Sequence, residues 1–318
     1  MKLSLAIALV LVSTSVVRAE DPSSTVADEV GELGGDTAPT PEPDPAPPGP
    51  TPGTTPTTPA PRARMSTPPS RTVRPRGKDN GEGRLDKTED TVQGGRHWRI
   101  KTAQGAVHVW VPSGYDRATA GTVIYVHGYW TDADGAWKEH ELPRQFRQSR
   151  QNAMFIVPDA PANMDESVHW PALTDLRRAV ARGNIKMPDG PVVVMGHSGA
   201  FRTVMQWVDH RLVDQIILLD AMYGGEHAFD EFIKSGKRAD QHKLIVVGAA
   251  VAQESAAFIK KYKFAKAREK VPDYMSGFTK DERRAKLLYI HSQYSHMPIV
   301  TNRKVIPLLL KVTRLKAL

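Results

Sequence analysis

Ser198 sits in the run Gly196-His197-Ser198-Gly199-Ala200, between the apolar run Val192-Val193-Val194-Met195 and a helix-like stretch from Phe201 to His210. Gly-x-Ser-x-Gly turns a strand directly into a helix and leaves the serine at a strained, exposed apex. Here Ala200 replaces the second glycine, a mild change. A serine hydroxyl is a poor nucleophile at neutral pH without a base. Two late histidines are available: His291, at the end of Leu287-Leu288-Tyr289-Ile290, and His296, five residues further on in a loop. His296 is the better-placed base, since a side chain at a strand end more often packs or bonds locally.

A base that becomes cationic needs a carboxylate to hold its tautomer. Asp220 ends the run Ile216-Ile217-Leu218-Leu219 and is the first choice; Asp159, between two prolines, and Glu254, on a helical stretch, are the alternatives. A tetrahedral intermediate also needs donors aimed at its oxyanion. The amide of Gly199, just after the serine, is one. The amide of Tyr129, after His127-Gly128, is the second. Trp130, Trp137, Trp170, Met222 and Tyr223 fall in segments near the same edge and are expected to line a substrate pocket, whereas Trp207 belongs to the core.

These residues share an edge only if the elements between them alternate. Short, nearly continuous, β-branched runs recur at Val123–Val126, Ala153–Val157, Val192–Met195, Ile216–Leu219, Leu244–Val247 and Leu287–Ile290. Such runs are expected of strands buried on both faces. Helix-length stretches separate them, at 137–151, 172–181, 199–210, 226–235, 253–263 and 302–313. This alternation implies an α/β fold: a mostly parallel central sheet with helices on both faces. Right-handed crossovers then bring the carboxyl ends of the strands to one edge. An opening hairpin, with its turn at Gln104-Gly105, precedes them.

The order and spacing of Tyr125-Val126-His127-Gly128, Gly196-His197-Ser198-Gly199-Ala200 and a late loop histidine resemble the α/β-hydrolase superfamily over about 220 residues. The resemblance implies hydrolysis of an ester, thioester, amide or peptide bond, without choosing among them. The acid stands after the sixth strand of the usual arrangement rather than the seventh, a position some members use. No large cap domain is expected, so the site should be open.

Composition narrows the alternatives. There is no cysteine, which excludes disulfides, thiolate metal sites and a cysteine nucleophile. A metallohydrolase using His127, His197, Asp220 and His296 lacks any His-Glu-x-x-His spacing. The constellation therefore calls for no metal and no cofactor. A non-catalytic envelope binding protein on a hydrolase scaffold is the remaining alternative, and it would be expected to lack one of the reactive residues.

Residues 1–19 resemble a secretory signal peptide: Lys2, an apolar run, then Val17-Arg18-Ala19. Residues 20–94 read as a Pro- and Thr-rich linker without periodicity, and 95–318 as the catalytic domain. Export from a bacterial cell, to the periplasm or beyond, follows as an expectation, with no transmembrane segment after the signal peptide. Residues 96–318 carry 33 Lys and Arg against 22 Asp and Glu, a net of +11. Such a surplus favours a small-molecule or cell-envelope substrate and an anionic surface. No motif for nucleic acid is present.

Overall fold

The computed structural model describes residues 84–234 and 241–318. The expected signal segment and residues 20–83 of the expected linker lie outside them. Four opening strands are β1 (Lys87–Val92), β2 (Gly95–Thr102), β3 (Gly105–Val111) and β4 (Gly121–Val126). They are followed by β5 (Ala153–Pro158), β6 (Val192–His197), β7 (Val213–Leu219), β8 (Lys243–Gly248), β9 (Lys266–Arg268) and β10 (Leu287–His291). All ten join one sheet in the order β1-β2-β3-β5-β4-β6-β7-β8-β10-β9. The first three strands and β5 are antiparallel to their neighbours; β5, β4, β6, β7, β8, β10 and β9 run parallel.

Apart from the exposed edge strand β9, the parallel strands are largely apolar on both sides because both faces are covered. Along β4, Val123 and Tyr125 enter one core and Ile124 and Val126 the other. The period-2 alternation of strand side chains makes that split unavoidable. One face packs on α1 (Ala133–Glu139), α2 (Leu142–Ser149) and α9 (Val305–Lys311), through Ala133, Ala136, Leu142, Phe146, Ile306 and Leu309. The other packs on α3 (Leu173–Arg182), α4 (Phe201–Met205), α5 (Glu226–Lys234) and α6 (Ala252–Lys260), through Leu176, Val204, Phe229 and Phe258. Two short helices, α7 (Lys280–Arg284) and α8 (Pro298–Thr301), complete the described elements. Between β7 and β8 the chain forms only α5 among the described residues, so no large cap is built there. No described helix is long and apolar enough to cross a membrane.

The expected start of the folded region at residue 95 is too late. β1 pairs with β2 over six residues, from Lys87 opposite Ile100 to Val92 opposite Gly95. Its sequence, Lys-Thr-Glu-Asp-Thr-Val, hides it: the strand is an exposed edge and carries no apolar stripe. Its carboxylates are nevertheless engaged. Glu89 accepts from the Trp98 indole at 2.8 Å, and Asp90 lies 2.6 Å from His97 Nδ1.

A chain beginning at Arg84 should therefore keep the melting temperature of the full-length protein. One beginning at Gly95 should melt several degrees lower, about 4 °C for each ~2 kcal/mol lost in a domain of this size. Equal thermal unfolding curves for the two would show that β1 adds nothing to stability.

Candidate active site

Ser198 follows β6 directly and has φ +53°. A non-glycine residue in the left-handed region is uncommon, and here it forms the apex of the strand-to-helix turn. The flanking small residues are sterically required. A Cβ on Gly196 would come within 2.8 Å of Val204 and 3.3 Å of the Ala200 methyl. The turn thus tolerates Ala200 because position 196 is glycine. A Cβ on Gly128 would stand 2.7 Å from Ser198 Cβ and 3.0 Å from the His197 carbonyl oxygen. That bare backbone lets the loop after β4 pass directly over the serine.

His127 fixes the same loop. It is fully buried; its Nδ1–H donates to the Gly128 carbonyl at 2.8 Å, and its Nε2 accepts from the Ala160 amide at 3.0 Å. The Tyr129 ring lies over Gly199, where a Cβ would meet ring carbons at 2.5 Å. Gly199 belongs to a 3-10 turn, Ser198–Ala200, that leads into α4. Amides at such a helix start lack intrahelical acceptors and face outward.

His296 and Asp220 meet. His296 Nδ1 lies 2.5 Å from Asp220 Oδ2, so the Nδ1–H donates to the carboxylate and Nε2 is left as an acceptor. Asp220 is completely buried, also at positive φ, +50°. Its oxygens accept three backbone amides of the turn between β8 and α6: Ala249 at 2.7 Å, Ala250 at 3.0 Å and Val251 at 3.1 Å. Burial alone would raise its pKa. The hydrogen bond from His296 and the three amides overcome that and bring it to about 2.

The alternative residues are used elsewhere. Asp159 accepts from the Ala133 amide at 2.9 Å and faces His127 and His169. His291 is 3.1 Å from Glu269. His197 donates through Nε2 to the His296 carbonyl at 3.2 Å and packs against the His296 ring, tilted by 36° with centroids 4.6 Å apart. It therefore supports the loop that carries His296. Among the described residues, no group of three or more His, Asp or Glu has the arrangement of a metal site.

No hydrogen bond joins Ser198 to His296 among the described residues; the Tyr223 side chain stands close to the serine. Nucleophile–base contacts are often long or misaligned before substrate binds.

Of the expected pocket residues, Tyr223 is half exposed beside the serine and Trp130 is 91% exposed on the neighbouring loop. Trp137, Trp170 and Met222 are packed among other groups, and Trp170 edges a cavity of about 590 Å³ that it shares with Leu85, Thr102 and His169. Trp137 stacks on His97 and His108 at 4.7 Å from each, behind the hairpin. Trp170 and Met222 are buried in the core, where the Trp170 carbonyl accepts from the Trp207 indole at 2.8 Å. Trp207 is a core residue, as expected.

Two contributors carry no sequence motif. The amides of Ala249 to Val251 are backbone groups, hinted at only by the small residues Gly248-Ala249-Ala250. Arg202 donates to the Tyr129 hydroxyl at 3.2 Å and to the carbonyls of Asn163, Met164 and Glu166 at 3.3, 2.9 and 2.8 Å. It ties the loop after β5 to Tyr129.

With a parallel sheet, a strained serine after one strand and a buried Asp–His pair after two others, the molecule has the layout of an α/β hydrolase. The sequence model of the "Alpha/beta hydrolase family" matches residues 123–305, more than half of the chain, and the protein belongs to that family. Comparison with curated protein sequences gives no match. Among solved structures, the chain is similar to an S-formylglutathione hydrolase from Agrobacterium tumefaciens: 11% identity, 73% of this chain, 100% of that one, TM-score 0.43. It is also similar to a feruloyl esterase module from Clostridium thermocellum: 12%, 71%, 87% and 0.45. A fluorophosphonate-binding serine hydrolase of Staphylococcus aureus gives 12%, 73%, 100% and 0.45.

Three buried histidines, His197, His140 and His108, are held neutral. Burial lowers the pKa of His197 to about 3, with the charges of His296 and His140 adding to the effect, and lowers those of His140 and His108 to about 4. Folded-state values below the unfolded value mean that the unfolded chain binds more protons between about pH 4 and 6.5, so stability falls as pH falls through that window. His140→Gln should reduce the slope of unfolding free energy between pH 5 and 6 by about one proton, or about 1.4 kcal/mol per pH unit. Denaturant titrations at a series of pH values read that slope. An unchanged slope would mean that His140 does not contribute.

Proposed function

We propose that this protein is a serine hydrolase that cleaves an ester or amide/peptide bond through an acyl-enzyme. The observation that carries the reading is the 2.5 Å contact of His296 Nδ1 with Asp220, beside a serine held at positive φ. Because Nδ1 carries the proton given to Asp220, Nε2 is free to accept the proton of Ser198 as its Oγ attacks the substrate carbonyl. The amides of Tyr129 and Gly199 receive the oxyanion. Collapse of the intermediate expels the leaving group, which takes the proton from His296 Nε2. Water then repeats the sequence on the acyl-serine, releasing the acid and regenerating Ser198.

Asp220 supplies the tautomer and stabilises the imidazolium. Its three backbone donors keep it ionised and stationary, so proton transfer stops at His296. Trp130 and Tyr223 form the substrate rim. The open approach suits a small or flexible acyl group. We further propose that the chain is exported by its first 19 residues and acts in the periplasm or outside the cell, which mass determination of the mature N-terminus tests.

Ser198→Ala should abolish labelling by a fluorophosphonate while leaving thermal unfolding unchanged; surviving label would move the nucleophile elsewhere. Asp220→Asn should lower kcat for an activated ester by up to about ten-thousandfold, since an amide favours the wrong imidazole tautomer, as in the serine-protease precedent. Asp159→Asn and Glu254→Gln should change kcat only a few-fold. A large loss in either of those, with Asp220→Asn active, would reassign the acid.

A further inference from the structure

The two amides proposed to receive the oxyanion belong to residues that touch. The Tyr129 ring covers Gly199, where a Cβ would meet its carbons at 2.5 Å. The ring is therefore a spacer between the loop after β4 and the turn that carries Ser198, and the separation of the two amides follows its position. A ring packed at one side can still tilt unless its far end is held. Arg202 holds that end, with Nη1 donating to the Tyr129 hydroxyl at 3.2 Å. Arg202 stands three residues after Gly199, in the helix into which the serine turn leads. The grip and the glycine thus lie on one continuous stretch of chain.

The same guanidinium also donates to the loop after β5: Nη1 to the Met164 carbonyl at 2.9 Å and the Asn163 carbonyl at 3.3 Å, and Nη2 to the Glu166 carbonyl at 2.8 Å. That loop is closed on itself by the Glu166 carboxylate, which accepts from the Ala162 amide at 2.8 Å and the Asn163 side chain at 3.0 Å. The Ala162 carbonyl in turn accepts from the amide of Trp130, the residue after Tyr129, at 2.8 Å. Trp130 has φ +70°, a conformation that a bulky residue keeps only with outside support. Residue 129 is therefore anchored at its hydroxyl and at the following peptide, and both anchors lead to Arg202. The four acceptors of Arg202 are neutral oxygens, so what the side chain supplies is the planar fork rather than an ion pair. We propose that Arg202 is the positioning residue of the oxyanion hole: it acts through Tyr129 and fixes the spacing of the Tyr129 and Gly199 amides. Such donors work only within a few tenths of an ångström of the oxyanion, so their spacing controls turnover. The inference rests on the serine-hydrolase reading.

Arg202→Ala in the full-length protein, assayed with a p-nitrophenyl ester, tests it. kcat/KM should fall about thirtyfold. Affinity for a boronic acid of the same acyl chain, whose serine adduct places an oxygen in the oxyanion position, should fall by the same factor. Affinity for the isosteric ether, which has no carbonyl oxygen, should stay within about twofold, since the lost interaction belongs to the transition state. Millimolar guanidinium should restore about fivefold of the lost kcat/KM by refilling the fork, and urea at equal concentration should not. If the alanine variant does not fold, Arg202→Lys decides in its place, with an expected loss of about fivefold in boronate affinity and unchanged ether binding, because one ammonium cannot reach both sides of the fork. Unchanged boronate affinity, equal losses for boronate and ether, or no rescue by guanidinium would overturn the proposal. Fluorophosphonate separates the two levels: an unaltered protein that takes no label sinks the hydrolase reading and this inference with it, whereas a labelled protein whose Arg202→Ala variant keeps its boronate affinity sinks this inference alone.

Discussion

The buried carboxylate of Asp220 is the point on which the catalytic edge depends. An ionised carboxylate without water is costly unless every lone pair has a donor. Here the donors are the amides of Ala249, Ala250 and Val251, in the turn between β8 and α6, and the imidazole of His296. That turn therefore does for Asp220 what a water shell would otherwise do, with the positive end of α6 adding to the effect. This requires α6 to start directly after β8, which the tight Gly248-Ala249-Ala250 turn allows. It also requires β7 and β8 to be neighbours, as Gln215 opposite Lys243 through Leu219 opposite Val247 makes them.

In the proposed mechanism, the same arrangement lets the acid stand one strand early. The loop after β8, the other common location of the acid, contributes its backbone and no carboxylate. Asp220 reaches across to it at φ +50°, a conformation that aspartate tolerates better than bulky or β-branched residues. His296 arrives from the far side of β8, and its carbonyl is held by His197. His197 thereby buttresses the loop that carries His296. Burial keeps His197 neutral, which in the proposed mechanism spares the His296 ring a second positive charge beside it.

The sheet and the residues of the proposed site were legible because each left a local mark. Continuous β-branched runs mark strands covered on both faces, and Ser198, Asp220 and His296 stand at the ends of such runs or just beyond. What was not legible depended on partners distant in sequence. β1 is polar because it is an edge, and β9 is three residues long, so neither has a pattern to read. Trp137, Trp170 and Met222 were identifiable as large apolar groups near the edge. Which way they face is set by tertiary packing: His97 and His108 in one case, the core beneath α4 in the others. The Arg202 clamp on Tyr129 has no signature, since an arginine early in a helix looks like any solvated charge.

The basic surplus of the folded region has two physical sources, and they can be separated. Part belongs to helix ends: Lys138, Arg147, Arg182, Lys234, Lys260 and Lys311 occupy the last turns of their helices, where a cation offsets the negative end of the dipole. In a parallel α/β layout, the amino ends of α4 and α6 face the catalytic edge, where they serve Gly199 and Asp220. Negative helix ends consequently gather at the opposite edge and attract cations there for structural reasons. Arg84, Lys87 and Arg117 are not explained this way, since they lie on or beside strands and loops with no helix terminus to neutralise.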